Sequence, residues 1–427
     1  MADHLLDGRV PARTGVRFDV DDPVLAAAAW SRLAEPGDVV AGAVVEHLGA
    51  SGALSWLVDA TTDPVGARRA AGLDGLALPD PPSVPGGLAA PPRADTGQDA
   101  AARLGAAVRR WAPRLESLDP RRELRVLDRC QGTLLTPQDD RWPRTLGDLG
   151  TAAPFALWVR GRADVASWAD RAVALVGSRA STRYGERVAE DLAAGVADRG
   201  FTVVSGGAYG IDAAAHRGAL AAGGATCAVL AGGVDRYYPQ GNDGLLRHLV
   251  AQGGAVLSEV PPGSAPYRRR FLARNRVIAA LTGATVVVEA ARRSGALSTA
   301  RRAAELLRPL GAVPGPVTSI ASSGCHGLLR DGAAVCVTDP AEVAELAGRL
   351  GEDAVPEDPL PGSHDRLDGL GPDERALWDA LPLRSGAGVD ALARSAGLSP
   401  RRVMTLVGGL ERRGLARCDA GRWLRGT

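Results

Sequence analysis

Ala172-Val-Ala-Leu-Val-Gly-Ser-Arg179 is the stretch on which the fold turns: five apolar residues run straight into a glycine, and a helical pattern follows from Tyr184 to Ala197. That is the pattern of a buried parallel strand, a tight turn and a helix start. The unit recurs. Phe201 to Val204 runs into Ser205-Gly-Gly-Ala-Tyr-Gly-Ile-Asp-Ala-Ala-Ala-His216, and Thr226 to Leu230 runs into Gly232 and Gly233. A fourth strand is expected over Ala255 to Leu257. A fifth, Ala284 to Ala290, leads to Ser294-Gly-Ala-Leu-Ser-Thr-Ala-Arg-Arg302 at another helix start. Strands alternating with helices at this spacing predict an α/β class domain with a doubly wound parallel sheet. In such sheets the loops leaving the carboxyl ends of the strands form the ligand crevice.

The chain has 427 residues, 45% of them apolar, which predicts two or three domains with ample material for their cores. A formal charge of +1 excludes a globally basic or acidic binder, so any electrostatic site is a local patch. Every basic side chain is arginine. Cys130, Cys227, Cys325, Cys336 and Cys418 are scattered without paired spacing, which argues against a zinc site and for a reducing compartment. Neither a targeting pattern nor a run of roughly 18 apolar residues stands out, and a cytoplasmic protein is expected.

Working outward, residues 1–22 read as a flexible N-terminus. Residues 23–78 read as a small helical, helical-hairpin-like domain, with helices over Leu25–Leu33, Val39–Leu48 and Leu54–Ala60 separated by turns at Gly37 and Gly49. The Pro/Gly-rich segment 79–98 reads as a loop or linker. Residues 99–345 read as the α/β domain with its lead-in: a helix over 100–118, a short strand over Leu124–Val126, and a β run ending at Gly161 that docks on the main sheet. An acidic, Pro/Gly-rich linker over 346–371 precedes residues 372–427. There helices over Pro372–Leu381, Val389–Ala396 and Ser399–Arg413, followed by a hairpin over Gly414–Leu424, predict a winged helix-turn-helix. Its third helix presents Arg401, Arg402, Arg412 and Arg413.

The loops carry the chemistry. Gly177, Ser178 and Arg179 combine close backbone approach, helix-start amides and a forked cation, the set that holds a phosphate. Ser205, Gly206 and Gly207 repeat the glycine-rich strand end, while Asp212 and His216 share a helix face and read as capping or loop-tying residues. The strongest electrostatic feature is Arg268-Arg-Arg-Phe-Leu-Ala-Arg-Asn-Arg276, with no acid between Glu259 and Glu289. Arginines that track phosphates beside an aromatic face are what single-stranded nucleic acid requires, although Phe271 equally suits a core. Two functions remain open on these residues. One is a Rossmann-like nucleotide-processing hydrolase of the phosphoribohydrolase type, whose loop needs a catalytic carboxylate where this chain has Arg302, a group that cannot act as a general base. The other is a binding module with no catalytic residue, metal or cofactor.

Taken in order, several motifs carry a family resemblance. They are Gly177-Ser-Arg179, Ser205 to His216, Gly232-Gly233 through Tyr238-Pro239, Ser258-Glu259, Phe271 with Arg274-Asn-Arg276, Glu289-Ala290 and Ser294 to Ala300. Over roughly 120–345 the chain resembles the DNA-processing DprA/Smf family. The resemblance implies an extended Rossmann-like fold and a protein of natural transformation that binds and protects incoming single-stranded DNA, loads the RecA recombinase and forms a homodimer. It implies that Gly177, Ser178 and Arg179 line the DNA pocket, that Arg268 and Phe271 hold backbone and base, and that Arg274, Asn275 and Arg276 complete it. Ser205, Gly206, Gly207, Ser294, Gly295, Ser298 and Thr299 join that expected DNA-binding set. One departure is Ser323-Gly-Cys-His-Gly327, where the family commonly has an asparagine near His326.

Overall fold

Apolar side chains alternate between the two faces of each central strand, so each of these strands can be covered on both sides. In the computed structural model, residues 16, 18–79, 97–349, 351–354, 369–383 and 385–426 are described. The flexible terminus expected over 1–22 and the linkers expected over 79–98 and 346–371 fall largely outside the described residues. The chain divides into two units, Met1–Val355 and Pro356–Thr427.

The first unit begins with helices α1 (Pro23–Leu33), α2 (Val39–Ala60), α3 (Pro64–Ala70), α4 (Gly97–Leu115) and α5 (Pro120–Arg129). Asp22 starts α1, its carboxylate accepting the amides of Val24 and Leu25 at 2.8 and 3.0 Å, with Pro23 at the first helical position. Gly49 at φ 72° breaks α2 where the turn is expected. The helix over Leu124–Val126 replaces an expected strand. Asp119 caps Arg122 at 3.0 Å and Pro120 occupies the first turn, a start signal that overrides the alternation of Leu124 and Val126 about Arg125. Helix α4 packs with α1 and α2 around Trp30, which meets Trp111 edge-on at 5.3 Å. This helical cluster is tied to the sheet by Trp158, whose indole donates to Ser31 at 3.1 Å, and by Arg32, which reaches Glu123, Ser264 and Pro262.

Next come β1 (Gly132–Leu135), β2 (Leu157–Gly161), α6 (Val165–Ala169), β3 (Ala172–Gly177), α7 (Arg183–Asp198), β4 (Thr202–Ser205), α8 (Ile211–Ala221) and β5 (Thr226–Leu230). They are followed by α9 (Asp243–Ala251), β6 (Ala255–Ser258), α10 (Arg268–Ala280), β7 (Ala284–Glu289), α11 (Ala296–Glu305), β8 (Leu310–Ala312), α12 (Ser323–Arg330), β9 (Val335–Cys336) and α13 (Pro340–Ala347). The nine-stranded sheet has the order β1-β2-β6-β5-β4-β3-β7-β8-β9, parallel from β6 to β9. Strands β1 and β2 add an antiparallel edge, so the sheet is mixed and mostly parallel. Val173 and Leu175 face the core of α7, α8 and α13, while Ala172, Ala174 and Val176 face that of α10 and α11. From β3 the chain winds outward through β4, β5 and β6, then returns to pair β7 with the other side of β3. The crevice of such a sheet lies at that reversal, between the carboxyl ends of β3 and β7.

In the second unit, α14 (Pro372–Ala380), α15 (Val389–Ala396) and α16 (Pro400–Arg412) pack around Leu377, Leu392, Val403, Val407 and Leu410. Glu374 reaches back to the Gly371 amide at 2.9 Å, and the Ser399 hydroxyl accepts the Arg402 amide at 3.3 Å. An antiparallel ribbon follows, β10 (Ala416–Asp419) and β11 (Arg422–Arg425).

Candidate functional site

Gly177 ends β3 where no side chain fits. A Cβ there would stand 2.5 Å from Ile211 Cγ1 and 2.8 Å from the Glu289 carbonyl. The chain can therefore turn tightly into Ser178–Ala180, a loop fixed by the Ser178 amide donating to the Glu289 carbonyl at 2.7 Å and by the Ile211 amide donating to Ser178 O at 3.2 Å. The start of α7 is already occupied. The buried Glu289 carboxylate accepts the Thr182 amide and hydroxyl, each at 2.8 Å, placing an internal anion at the positive end of the helix. A ligand phosphate in this crevice must therefore be held chiefly by side chains.

Those side chains surround a cleft of about 730 Å³ between the loops after β3 and β7 and the first two turns of α10. Gly177, Ser178, Arg179, Arg268, Phe271, Arg274, Asn275, Ser294, Gly295 and Thr299 all line it. Phe271 is half-buried and belongs to no core cluster among the described residues. The Arg179 guanidinium lies 4.5 Å from its ring centroid, and the exposed Tyr238 ring packs against it at 5.9 Å with 55° between planes. Arg268 is exposed on the same helix face. The result is an aromatic surface bordered by two solvent-facing cations.

The floor is different. Arg274 is buried and donates to the carbonyls of Gly206, at 2.8 Å, and Val229. Asp212 accepts the amides of Gly206 and Ala208 at 3.2 and 3.3 Å. Burial pushes the Asp212 carboxyl up, against the attraction of Arg274, and lowers Arg274 to about 10. Ser205, Gly206 and Gly207 do not line the cleft: the Ser205 hydroxyl donates to Leu175 O at 2.7 Å, and a Cβ on Gly206 would strike Arg274 at 2.5 Å. They wrap the floor from beneath. Arg276 points the other way, paired with Glu259 in a buried ion pair beside Gly37. Ser298 also stands off the cleft, and Arg302 pairs with Glu305 at 2.6 Å. His216 is buried with Nδ1 2.7 Å from the Thr226 hydroxyl, and burial lowers it to about 3. His326 Nε2 lies 3.0 Å from Gly315 O.

Tyr238, Tyr267 and Arg293 also line the cleft but were not among the expected site residues. A signal for the α10 part of the wall was present. Residues 268, 271, 272 and 275 fall at i, i+3, i+4 and i+7, one helix face, and it is this face that the cleft receives.

Comparison with known proteins agrees with this architecture. The family model described as DNA recombination-mediator protein A matches residues 133–348. The chain belongs to this DNA-processing family, known also under the names DprA and Smf. A Mycobacterium tuberculosis protein bearing the name DprA is 50% identical over 311 residues, covering 70% of this chain and 79% of its own. The Smf protein of Escherichia coli is 42% identical over 195 residues, 46% of this chain and 51% of its own. The X-ray structure of DNA processing protein A from Streptococcus pneumoniae superposes with a TM-score of 0.52 at 34% identity, covering 58% of this chain and 86% of that one. Among the described residues no helix is long and apolar enough to cross a membrane, and no cluster of His, Cys, Asp and Glu could hold a metal ion.

Proposed function

We propose that the cleft binds single-stranded DNA without regard to sequence, and that the protein acts on DNA entering the cell in natural transformation, protecting it and loading the RecA recombinase. The observation that carries this reading is the Arg179–Phe271–Tyr238 cluster beside Arg268: a π surface for a base flanked by cations for its phosphates. Its expected contacts are the lining residues Gly177, Ser178, Arg179, Arg268, Phe271, Asn275, Ser294, Gly295 and Thr299. Arg274 holds the floor that positions them. A binding protein of this kind requires no cofactor and no catalytic residue. Asp212 is the sole carboxylate among the lining residues, and two backbone amides and the nearby Arg274 already occupy it. Titration of the purified protein with labelled single- and double-stranded oligonucleotides at two salt concentrations tests the reading. Saturable binding that favours single strands and weakens with salt is expected, and equal or absent binding overturns it. Release of base from nucleoside monophosphates, abolished by a Gly295 substitution, would instead establish the hydrolase.

The flanking parts fit the same role. Three helices and a ribbon over 372–425 support a winged helix serving DNA or a protein partner as an accessory. The helices over 23–78, joined by α4, support a small helical domain. A homodimer belongs to the same proposed role. A cytoplasmic site of action follows from a role upstream of recombination.

A further inference from the structure

Helix α10 presents a second face. Residues 269, 270 and 273 lie around the helix from the cleft-facing set and form one wall of a separate groove of about 470 Å³. Its other wall comes from the N-terminal helices: the Glu35–Asp38 turn between α1 and α2, and Arg110, Trp111 and Arg114 on α4. Tyr267, at the N-terminal end of α10, lines both this groove and the Arg179–Phe271 cleft, so the two adjoin at one exposed aromatic ridge.

Four guanidinium groups line the groove, on Arg110, Arg114, Arg269 and Arg270, against two carboxylates, on Glu35 and Asp38. Glu35 takes Arg114 and Arg270, each at 3.0 Å, and the Tyr267 hydroxyl. Asp38 takes Arg110 and the Trp111 indole, each at 3.3 Å, while its other oxygen caps α2. Glu35 thus ties the two walls together and Asp38 ties α4 to the turn before α2, and a net positive charge of two remains. Arg269 is exposed, and the Arg110 side chain is 55% exposed despite its pair with Asp38. No acid lies in the first turn of α10, and no side chain caps it, so the ridge adds the positive end of the helix to the same path.

We infer that this groove is a second single-strand subsite, in which Arg269 and Arg110 hold phosphates of nucleotides that leave the first cleft over Tyr267. The inference rests on the reading of the first cleft as a single-strand site. The ligand is a polyanion with regularly spaced charges, and a groove lined by separated cations and joined to an aromatic cleft suits it.

The test compares oligothymidylates of about 6 and about 20 nucleotides, lengths chosen to bracket usual single-strand site sizes. The probe protein is the full chain, parent or carrying Arg269→Ala with Arg110→Ala. A single-strand salt slope of about −0.7 per phosphate makes each lost contact worth roughly fivefold in affinity at about 0.1 M salt relative to about 1 M. The double variant is expected to bind the long oligomer roughly 25-fold more weakly at about 0.1 M salt, with a slope flatter by about 1.4, and the short one as the parent does. An unchanged affinity for the long oligomer overturns the inference, and so does an equal loss on both lengths, because the arginines then act on the first cleft. Arg269→Glu alone, which leaves the Arg110–Asp38 pair intact, must show the same length dependence if the double variant unfolds. Failure of the parent to bind either oligomer would instead sink the reading of the first cleft.

Discussion

The two halves of α10 carry the same residue type to opposite ends. Arg268 and Arg269 in its first turn face solvent, with Phe271 between cleft and water, whereas Arg274 and Arg276 one to two turns later are buried. Burial changes what a guanidinium does. In the first turn the charge is available to a ligand, and water makes its retention inexpensive. Deeper in, Arg274 spends its donors on Gly206 and Val229 carbonyls, and Arg276 pairs with Glu259 at the seat of the N-terminal helices. One helix thus combines the proposed binding edge with a structural root.

Breaking the root should have the largest effect. Arg276→Ala leaves Glu259 buried and uncompensated, and removal of one partner of such a pair costs about 3–5 kcal/mol. A markedly lower thermal midpoint is expected, with single-strand affinity per folded molecule retained. If the midpoint holds and affinity falls, Arg276 belongs with the binding edge and the division of the helix is wrong.

Phe271→Ala attacks the other half. Loss of a stacking platform should weaken single-strand binding by roughly 1–3 kcal/mol per base and leave its salt slope nearly unchanged, because stacking is not ionic. Because Phe271 lies outside the core clusters, the midpoint should shift little. A sharp drop in melting temperature with intact binding would return Phe271 to a packing role.

Protonation probes the buried layer without deleting a contact. His216 falls from an ordinary 6.5 to about 3, through burial first and Arg274 second. The unfolded chain therefore gains a proton below pH 6.5 that the folded chain refuses until about pH 3, and stability is lost as pH falls through that window. At 1.36 kcal/mol per pH unit, acidification from 6.5 to 5 should remove about 2 kcal/mol through this group. Asp212 and Glu259, raised by burial, act in the opposite sense. The difference in pH slope between parent and His216→Gln, measured by denaturant midpoints, isolates the histidine. Parallel slopes would mean that His216 titrates normally.

How much of this was legible follows the same physics. The central strands declared themselves because burial on both faces demands uninterrupted apolar runs, each ending at a loop in glycine or serine. Strands β8 and β9 did not, since Leu310–Ala312 and Val335–Cys336 are too short to show a period. The arginine run was visible as a charge cluster, yet composition assigns no direction. Read with a helical period, 268, 271, 272 and 275 separate from 269, 270 and 273, but the burial of Arg274 and Arg276 depends on Gly206, Val229 and Glu259, which only the fold brings near. Glu289 was legible as the end of a strand; its role as an internal anion under α7 depends on the β3–β7 pairing.

The smallest expected effect is the most discriminating. Arg268→Ala removes an exposed cation with no packing role, so it should lower affinity for every single-stranded sequence alike, by roughly fivefold at about 0.1 M salt, and flatten the salt slope by about 0.7. Arg179→Ala should do this and more, because its guanidinium also lies over the Phe271 ring. Its loss should therefore keep a component at high salt, where ionic contributions fade and stacking remains. In a double-mutant cycle, Arg179→Ala and Phe271→Ala should couple, whereas Arg268→Ala and Phe271→Ala should be closer to additive. Coupling of equal size in both cycles would mean that the first turn of α10 moves as a unit when either side chain is lost. Binding edge and stacking platform would then be one element, and the functional divide would run between α10 as a whole and the loop after β3.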